Sequence, residues 1–197
     1  MINTKKPPQL QRCSWARSVY YIDHHDNFWG IPWKTEHELF EYLCLESQAA
    51  GLSFDLVLSK KKYYEKAFFN FKPEKIIEIK HGDIKKMMSN TGLIRYEKKL
   101  ISIVNNAKAY LNLKQEKITL QDLVYQSKKV FIQGHNKPGT VVNNFAKDLS
   151  AKLKKYGFTF VGPITIFSYL QAVGVYDDHQ PQCDWYYLKK KMRIKNN

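Results

Sequence analysis

Only five residues, Phe158-Thr159-Phe160-Val161-Gly162, separate Gly157 from Pro163, and the chain on either side of them carries a helical pattern. Asn144 to Tyr156 reads as a basic amphipathic helix. Gly157 ends it, because glycine tolerates the positive φ of a helix C-terminal residue, and Pro163 opens a second helix running to Gly174, because its fixed φ suits a first turn. So short a link folds the two helices back on each other as an αα-hairpin. The second helix then points its first amides outward at the turn, where they could hold a phosphate, although an ordinary helical hairpin has the same pattern.

The chain upstream is also punctuated by helix signals. Thr35-Glu36-His37-Glu38 is a capping box, so a helix starts there, continues through Leu39, Phe40, Leu43 and Cys44, and stops near Gly51. Ser53 caps a helix with Leu56, Val57, Tyr63, Tyr64, Ala67 and Phe68 inside and Lys60, Lys61 and Lys62 at its edge. Pro73 suits a first turn leading to Ile76, Ile77 and Ile79, Gly82-Asp83 opens a short helix, Ile94 to Leu113 forms a longer one, and Thr119 caps another short segment. Residues 127–142 are β-branched and then loop-like. An all-α domain over 12–188 is expected, with a frayed extension at 1–11 and a basic tail at 189–197.

Charge narrows the partner. The 197 residues hold 32 Lys+Arg against 18 Asp+Glu, a formal +14, while 44% hydrophobic and 14% aromatic content is too apolar for a disordered basic tail. A folded domain with this field suits a polyanion, because Lys and Arg release counterions from phosphate; ribosome-associated and membrane-surface proteins share the charge. No apolar run approaches a membrane helix, and Met1 to Pro8 offers no signal peptide, so a cytosolic protein without a membrane partner is expected. Three cysteines, Cys13, Cys44 and Cys183, give no even disulfide framework.

Several side chains could carry chemistry. Glu46 stands at the border of the apolar stripe of its helix. A carboxylate beside a core is costly unless it is paired, hydrogen-bonded or facing a cavity; a rim glutamate paired with a lysine is the plain reading. Trp15, Tyr20, Tyr21, Phe28, Trp29 and Trp33 crowd around His24, His25 and Asp26. Flat π faces beside a carboxylate suit a cationic planar base, and core packing explains the same density. Cys13 and His25, with His179 and Cys183, add up to a two-Cys, two-His set suited to tetrahedral zinc; four protein ligands would leave no position for an activated water. Cys44, on the apolar face, is expected to be a core thiol.

These segments resemble the DNA-3-methyladenine glycosylase I family of bacterial base-excision enzymes. The resemblance runs through Arg12-Cys13-Ser14-Trp15, His25-Asp26-Asn27-Phe28-Trp29-Gly30 and Cys44-Leu45-Glu46-Ser47-Gln48-Ala49-Ala50-Gly51-Leu52-Ser53-Phe54. It continues at Gly92-Leu93-Ile94-Arg95, Asn106-Ala107-Lys108-Ala109-Tyr110, Gly157 to Pro163, and Asp178-His179 with Cys183, covering nearly the whole of 12–183 in order.

The resemblance implies a helix-hairpin-helix glycosylase acting as a monomer on double-stranded DNA with alkylated bases. One structural zinc per chain would join the two ends through Cys13, His25, His179 and Cys183. Glu46 would hydrogen-bond the flipped 3-methyladenine as the catalytic carboxylate, Trp15 and Phe54 would stack on it, and Tyr21 and His24 would line the pocket. Leu52 would lie near the gap left in the duplex, and Gly162, Thr165 and the amides there would hold backbone. Asp177 and Asp178 are read as support for His179. Hydrolysis would be completed by water, without a lyase step.

The chain departs from the family pattern in having His24 for a tyrosine, Phe54 for a tryptophan, and a Cys13-to-His25 spacing one residue shorter. A relative that binds lesions without efficient excision, or a basic RNA-associated helical protein, are the alternatives; the second leaves Glu46 and the Cys/His set unexplained.

Overall fold

The computed structural model describes residues 10–32, 34–126, 131–132, 144–186 and 188; Trp33, most of 127–142, nearly all of the 1–11 extension and the 189–197 tail lie outside the described residues. In chain order the helices are α1 (Val19–Asn27), α2 (Glu36–Ala49), α3 (Phe54–Ser59), α4 (Lys61–Ala67), α5 (Pro73–Ile76), α6 (His81–Met87), α7 (Glu97–Gln115), α8 (Leu120–Val124), α9 (Asn144–Lys155) and α10 (Pro163–Ala172). A 3-10 turn, Phe69–Phe71, joins α4 to α5. Two short strands, β1 (Phe131–Ile132) and β2 (Tyr176–Asp177), pair in parallel, and among the described residues this small ladder is the only strand structure.

Helix α2 is the centre of the molecule. Thr35 caps it as a full capping box with Glu38, and every residue from Leu39 to Gln48 is buried. A helix buried on all sides needs partners on all sides, and α3, α7, α8 and α10 pack around it. Glu46 is therefore not at the border of a stripe, as its spacing suggested, but inside the fold at 5% exposure.

The hairpin forms as its punctuation dictates. Gly157 takes φ 94°, Gly162 precedes α10 with Pro163 in its first turn, and α9 packs on α10. Side chains fix the link: Ser150 Oγ donates to the Val161 carbonyl at 2.7 Å, and the Thr159 amide donates to Asn106 Oδ1 at 2.8 Å.

Three helical expectations change. The helix that Ser53 caps does not run through to Phe68: Lys60, at φ −103° and ψ 1°, divides α3 from α4. The break turns Tyr64 inward, where its hydroxyl donates to Gln48 Oε1 at 3.3 Å and accepts from the Ile94 amide at 3.2 Å. That bond holds Ile94 outside the long helix, which begins at Glu97. The aromatic segment after Trp15 contains a helix that periodicity did not reveal: Ser18 caps α1 by accepting from the Tyr21 amide at 3.0 Å.

Candidate active site

The end of α2, the turn after it, the start of α1 and the start of α10 enclose a cavity of about 770 Å³. Six consecutive residues, Ala49 to Phe54, form one side; Gly162, Pro163, Ile164 and Thr165 of the hairpin form another. Trp15, Tyr21, His24 and Trp29 supply aromatic walls, and Glu46 lies among them. Trp15, Tyr21, His24, Glu46, Leu52, Phe54, Gly162 and Thr165, which sequence spreads over 150 positions, thus share one recess.

Among the described residues no hydrogen bond or ion pair reaches the Glu46 carboxyl. Burial pushes its pKa up to about 8, because the charged form loses water and gains no partner. Burial also raises the Tyr21 hydroxyl above the usual range, partly offset by the backbone amides of Asp55 and Phe54 at the start of α3.

The aromatic groups are ordered by contact. Trp15 meets Tyr21 edge-on with ring centres 5.2 Å apart and Trp29 at 5.1 Å. His24 is buried with its ring stacked on Phe28 at 5.7 Å and Tyr42 at 5.5 Å, and edge-on to Phe54 at 5.3 Å. His24 is therefore a wall fixed on three sides, and Phe54, half-buried, presents the neighbouring face.

Beside the aromatic wall lies a second constellation. One ligand atom each from Cys13, His25 and Cys183 come within 4.8 Å of one another, all buried. His179 is not in that triplet, but its ring centre is 5.2 Å from that of His25. Carboxylates orient both imidazoles: Asp26 Oδ1 is 2.9 Å from His25 Nδ1, and Asp177 Oδ1 is 2.7 Å from His179 Nδ1. Each bond leaves Nε2 as the nitrogen turned toward a ligand, and His25 Nε2 is 3.4 Å from Cys183 Sγ.

A hydrogen bond with Cys13, opposed by burial and aided by His25, brings the Cys183 thiol down to about 4. Burial alone would raise Asp26, but the hydrogen bonds from Arg12 and His25 hold it below the usual carboxylate range, and Arg12 reaches it at 2.7 Å. Two soft sulfurs and oriented imidazoles form a donor set that fits zinc.

Asp177 and Asp178 are placed differently: Asp177 bonds His179 Nδ1, and Asp178 lines the cavity and accepts from Gln171 Nε2. Trp29, one of the aromatic residues the sequence singles out, lines the cavity, whereas Ile164 and Gln171 were missed as lining residues. Ile164 is 75% exposed, and a large apolar residue on the first turn of the hairpin's second helix was the available signal. Cys44 is fully buried, its thiol raised well above normal by burial, as a core thiol should be.

Comparison with known proteins adds four findings. A family model described as methyladenine glycosylase matches residues 15–187. The chain is 40% identical over 185 residues to the DNA-3-methyladenine glycosylase of Haemophilus influenzae, covering 87% of this chain and 96% of that one. It is 36% identical over 182 residues to DNA-3-methyladenine glycosylase 1 of Escherichia coli, covering 90% and 97%. A solved structure of 3-methyladenine DNA glycosylase I from Staphylococcus aureus, concerned with 3-methyladenine recognition, superposes with a TM-score of 0.82 at 37% identity, covering 89% and 96%. No described helix is long and apolar enough to cross a membrane.

Proposed function

The chain belongs to the methyladenine glycosylase family, and on that premise we propose that it excises 3-methyladenine from alkylated double-stranded DNA by hydrolysing the N-glycosidic bond of a flipped nucleotide. The observation that carries this reading is Glu46: a carboxyl at 5% exposure, without a protein partner among the described residues, inside an aromatic-walled recess large enough for a purine.

Adenine methylated at N3 is planar and positively charged while it is joined to the sugar, and its glycosidic bond is already weakened. Stacking on Trp15 and Phe54 and a carboxyl at Glu46 act on those two properties at once, since π faces attract a cation and a buried carboxylate attracts it more strongly. An arriving cation favours the ionised form of Glu46, opposing the burial that holds its pKa near 8 in the empty cavity. Everting a damaged base costs less than everting a paired one, which adds selectivity.

As the bond between C1′ and the base breaks, the bonding electron pair leaves with the base and neutralises it. Water attacks the sugar cation at C1′ and loses a proton to solvent, leaving an abasic site with no lyase step. The enzyme's task is then electrostatic: Glu46 holds the departing base in place while charge moves from base to sugar. His24 and Tyr21 narrow the recess around it. Leu52, 44% exposed at the mouth, would stand in the gap left in the duplex, and Gly162, Thr165 and the amides near them would grip backbone phosphate. The net +14 charge supplies sequence-independent affinity. The protein would work as a monomer in the cytosol.

Cys13, His25, His179 and Cys183 would hold one zinc ion. A metal held there would cross-link the chain's two ends, and with four protein ligands it would supply no reactive water.

The test is product analysis. Methylated duplex DNA incubated with the wild type is expected to yield free 3-methyladenine, and Glu46→Gln to release it about a hundredfold more slowly. Equal release by both proteins would remove Glu46 from this role, and lesion-selective binding without release by the wild type would make the protein a binder.

A further inference from the structure

Lys99, near the start of α7, is 5% exposed, and nothing in the chemistry above uses it. A buried ammonium is costly unless its three donors are satisfied. Among the described residues no carboxylate pairs with it. Its Nζ donates instead to two backbone carbonyls, Gln48 at 2.8 Å and Ala50 at 2.7 Å.

The Gln48 carbonyl lies in the last turn of α2 and the Ala50 carbonyl on the residue that caps it, where backbone acceptors have no helical partners and partial negative charge collects. The bond is reciprocal, since Gln48 Nε2 donates to the Lys99 carbonyl at 2.9 Å. Gln48 Oε1 in turn accepts from the Tyr64 hydroxyl, so the end of α2 is tied to α7 and α4 by a buried polar network.

The six lining residues Ala49 to Phe54 begin at this anchor. Beyond it the chain reverses at Gly51, φ 76°, where an added Cβ would meet nothing within 4 Å; the reversal is an open turn with little packing of its own. The Leu52 amide closes it on the Ala49 carbonyl at 2.7 Å, and Ser53 starts α3 by accepting from the Leu56 amide at 3.2 Å. The turn is thus held at its two ends, and the Lys99 ammonium is the end nearer Glu46.

We propose that Lys99 is a positioning residue: by binding the carbonyls of Gln48 and Ala50 it fixes the wall from Ala49 to Phe54 in the arrangement that receives an everted base and sets Leu52 toward the duplex. This rests on the base-excision reading of the cavity.

Lys99→Met keeps the alkyl stem and removes the donors. Amide hydrogen exchange of the full-length protein is expected to rise about tenfold at residues 50–54 in this variant and to stay within twofold in α9 and α10. Single-turnover release of 3-methyladenine from methylated duplex, at saturating enzyme, is expected to slow about tenfold, while inhibition by free 3-methyladenine changes less than threefold. Lys99→Arg, which retains charge and donors, should restore most of both effects. If Lys99→Met does not fold, Lys99→Gln, with one neutral donor group on a shorter stem, is read the same way. Unchanged exchange at 50–54, a rise spread evenly over the protein, or an arginine variant as impaired as the methionine one would each overturn the proposal. A wild type that releases no base would instead defeat the base-excision reading, and the exchange measurement would still decide the role of Lys99.

Discussion

The imidazole of His179 meets the indole of Trp29 edge to face, with ring centres 4.5 Å apart. Trp29 lines the cavity and His179 stands beside the Cys/His constellation, so the pair joins the two sites physically. The approach depends on Gly30: at φ 72° it is left-handed, and a Cβ there would come within 2.8 Å of His179 Cε1. Trp15 makes a second link, edge-on to His25 at 5.2 Å and to Trp29 at 5.1 Å. Whatever holds the histidines also holds the aromatic wall.

If the proposed zinc is the cross-link, removing it should loosen the wall while leaving Glu46 intact. Purified protein is expected to contain about one zinc per chain, measured by elemental analysis. Cys183→Ser should lower Tm by roughly 10 °C, taking a loss of about 3 kcal/mol and the 2–4 °C per kcal/mol usual for this size. The rate of base release per folded molecule, measured below the new Tm, should fall far less than in Glu46→Gln. A metal-free wild type with the same Tm would count against the zinc assignment.

Glu46 makes stability depend on pH with a defined sign. Its folded pKa lies near 8, above the ordinary value of 4.5, so between those values the folded state binds more protons than the unfolded one. Stability from the protonated carboxyl is complete below about pH 4.5 and is lost as pH rises through about 8. Glu46→Gln mimics the neutral form. Its Tm should exceed that of the wild type by about 5–10 °C at pH 9 and match it closely at pH 5; parallel Tm profiles for the two proteins would show that Glu46 is ionised in the empty cavity.

Phe54 sets the strength of the stack. Its ring stands edge-on to His24 at 5.3 Å and borders the open cavity, where a larger indole has space to extend. Phe54→Trp should tighten the binding of a cationic methylated purine about threefold, the factor expected from a stronger cation–π face, as measured by competitive inhibition of excision. Weaker binding would mean that the recess is shaped around phenylalanine by its His24 neighbour.

Legibility in the sequence followed how local each determinant is. The box of Thr35 and Glu38 and the Gly157-to-Pro163 link act within a few residues, and both appear as expected. Ser18 is just as local a cap, but the aromatic and histidine residues after it mask the helical period of α1. Glu46 stood out as a carboxylate near a core, yet its depth depends on four helices packing around α2, which no window of sequence contains. Asp177 and Asp178 are neighbours of one residue type, and only the folded chain brings the first to His179 and the second to the cavity. Lys99 looks like any lysine of a helix, and only the meeting of α7 with the end of α2 distinguishes it.

Leu52 offers the sharpest separation of base eversion from bond cleavage. It sits at the tip of the turn after α2, 44% exposed at the cavity mouth, and closes that turn through its amide bond to the Ala49 carbonyl. An apolar side chain so placed would act by occupying space vacated by the everted nucleotide, offsetting part of the few kcal/mol that unstacking costs. In a single strand there is little stacking to offset. Leu52→Ala should slow single-turnover release of 3-methyladenine from duplex DNA about tenfold, and from single-stranded DNA less than about twofold. The same loss on both substrates would assign Leu52 to the recess itself, and no loss on either would leave the turn with a purely structural role.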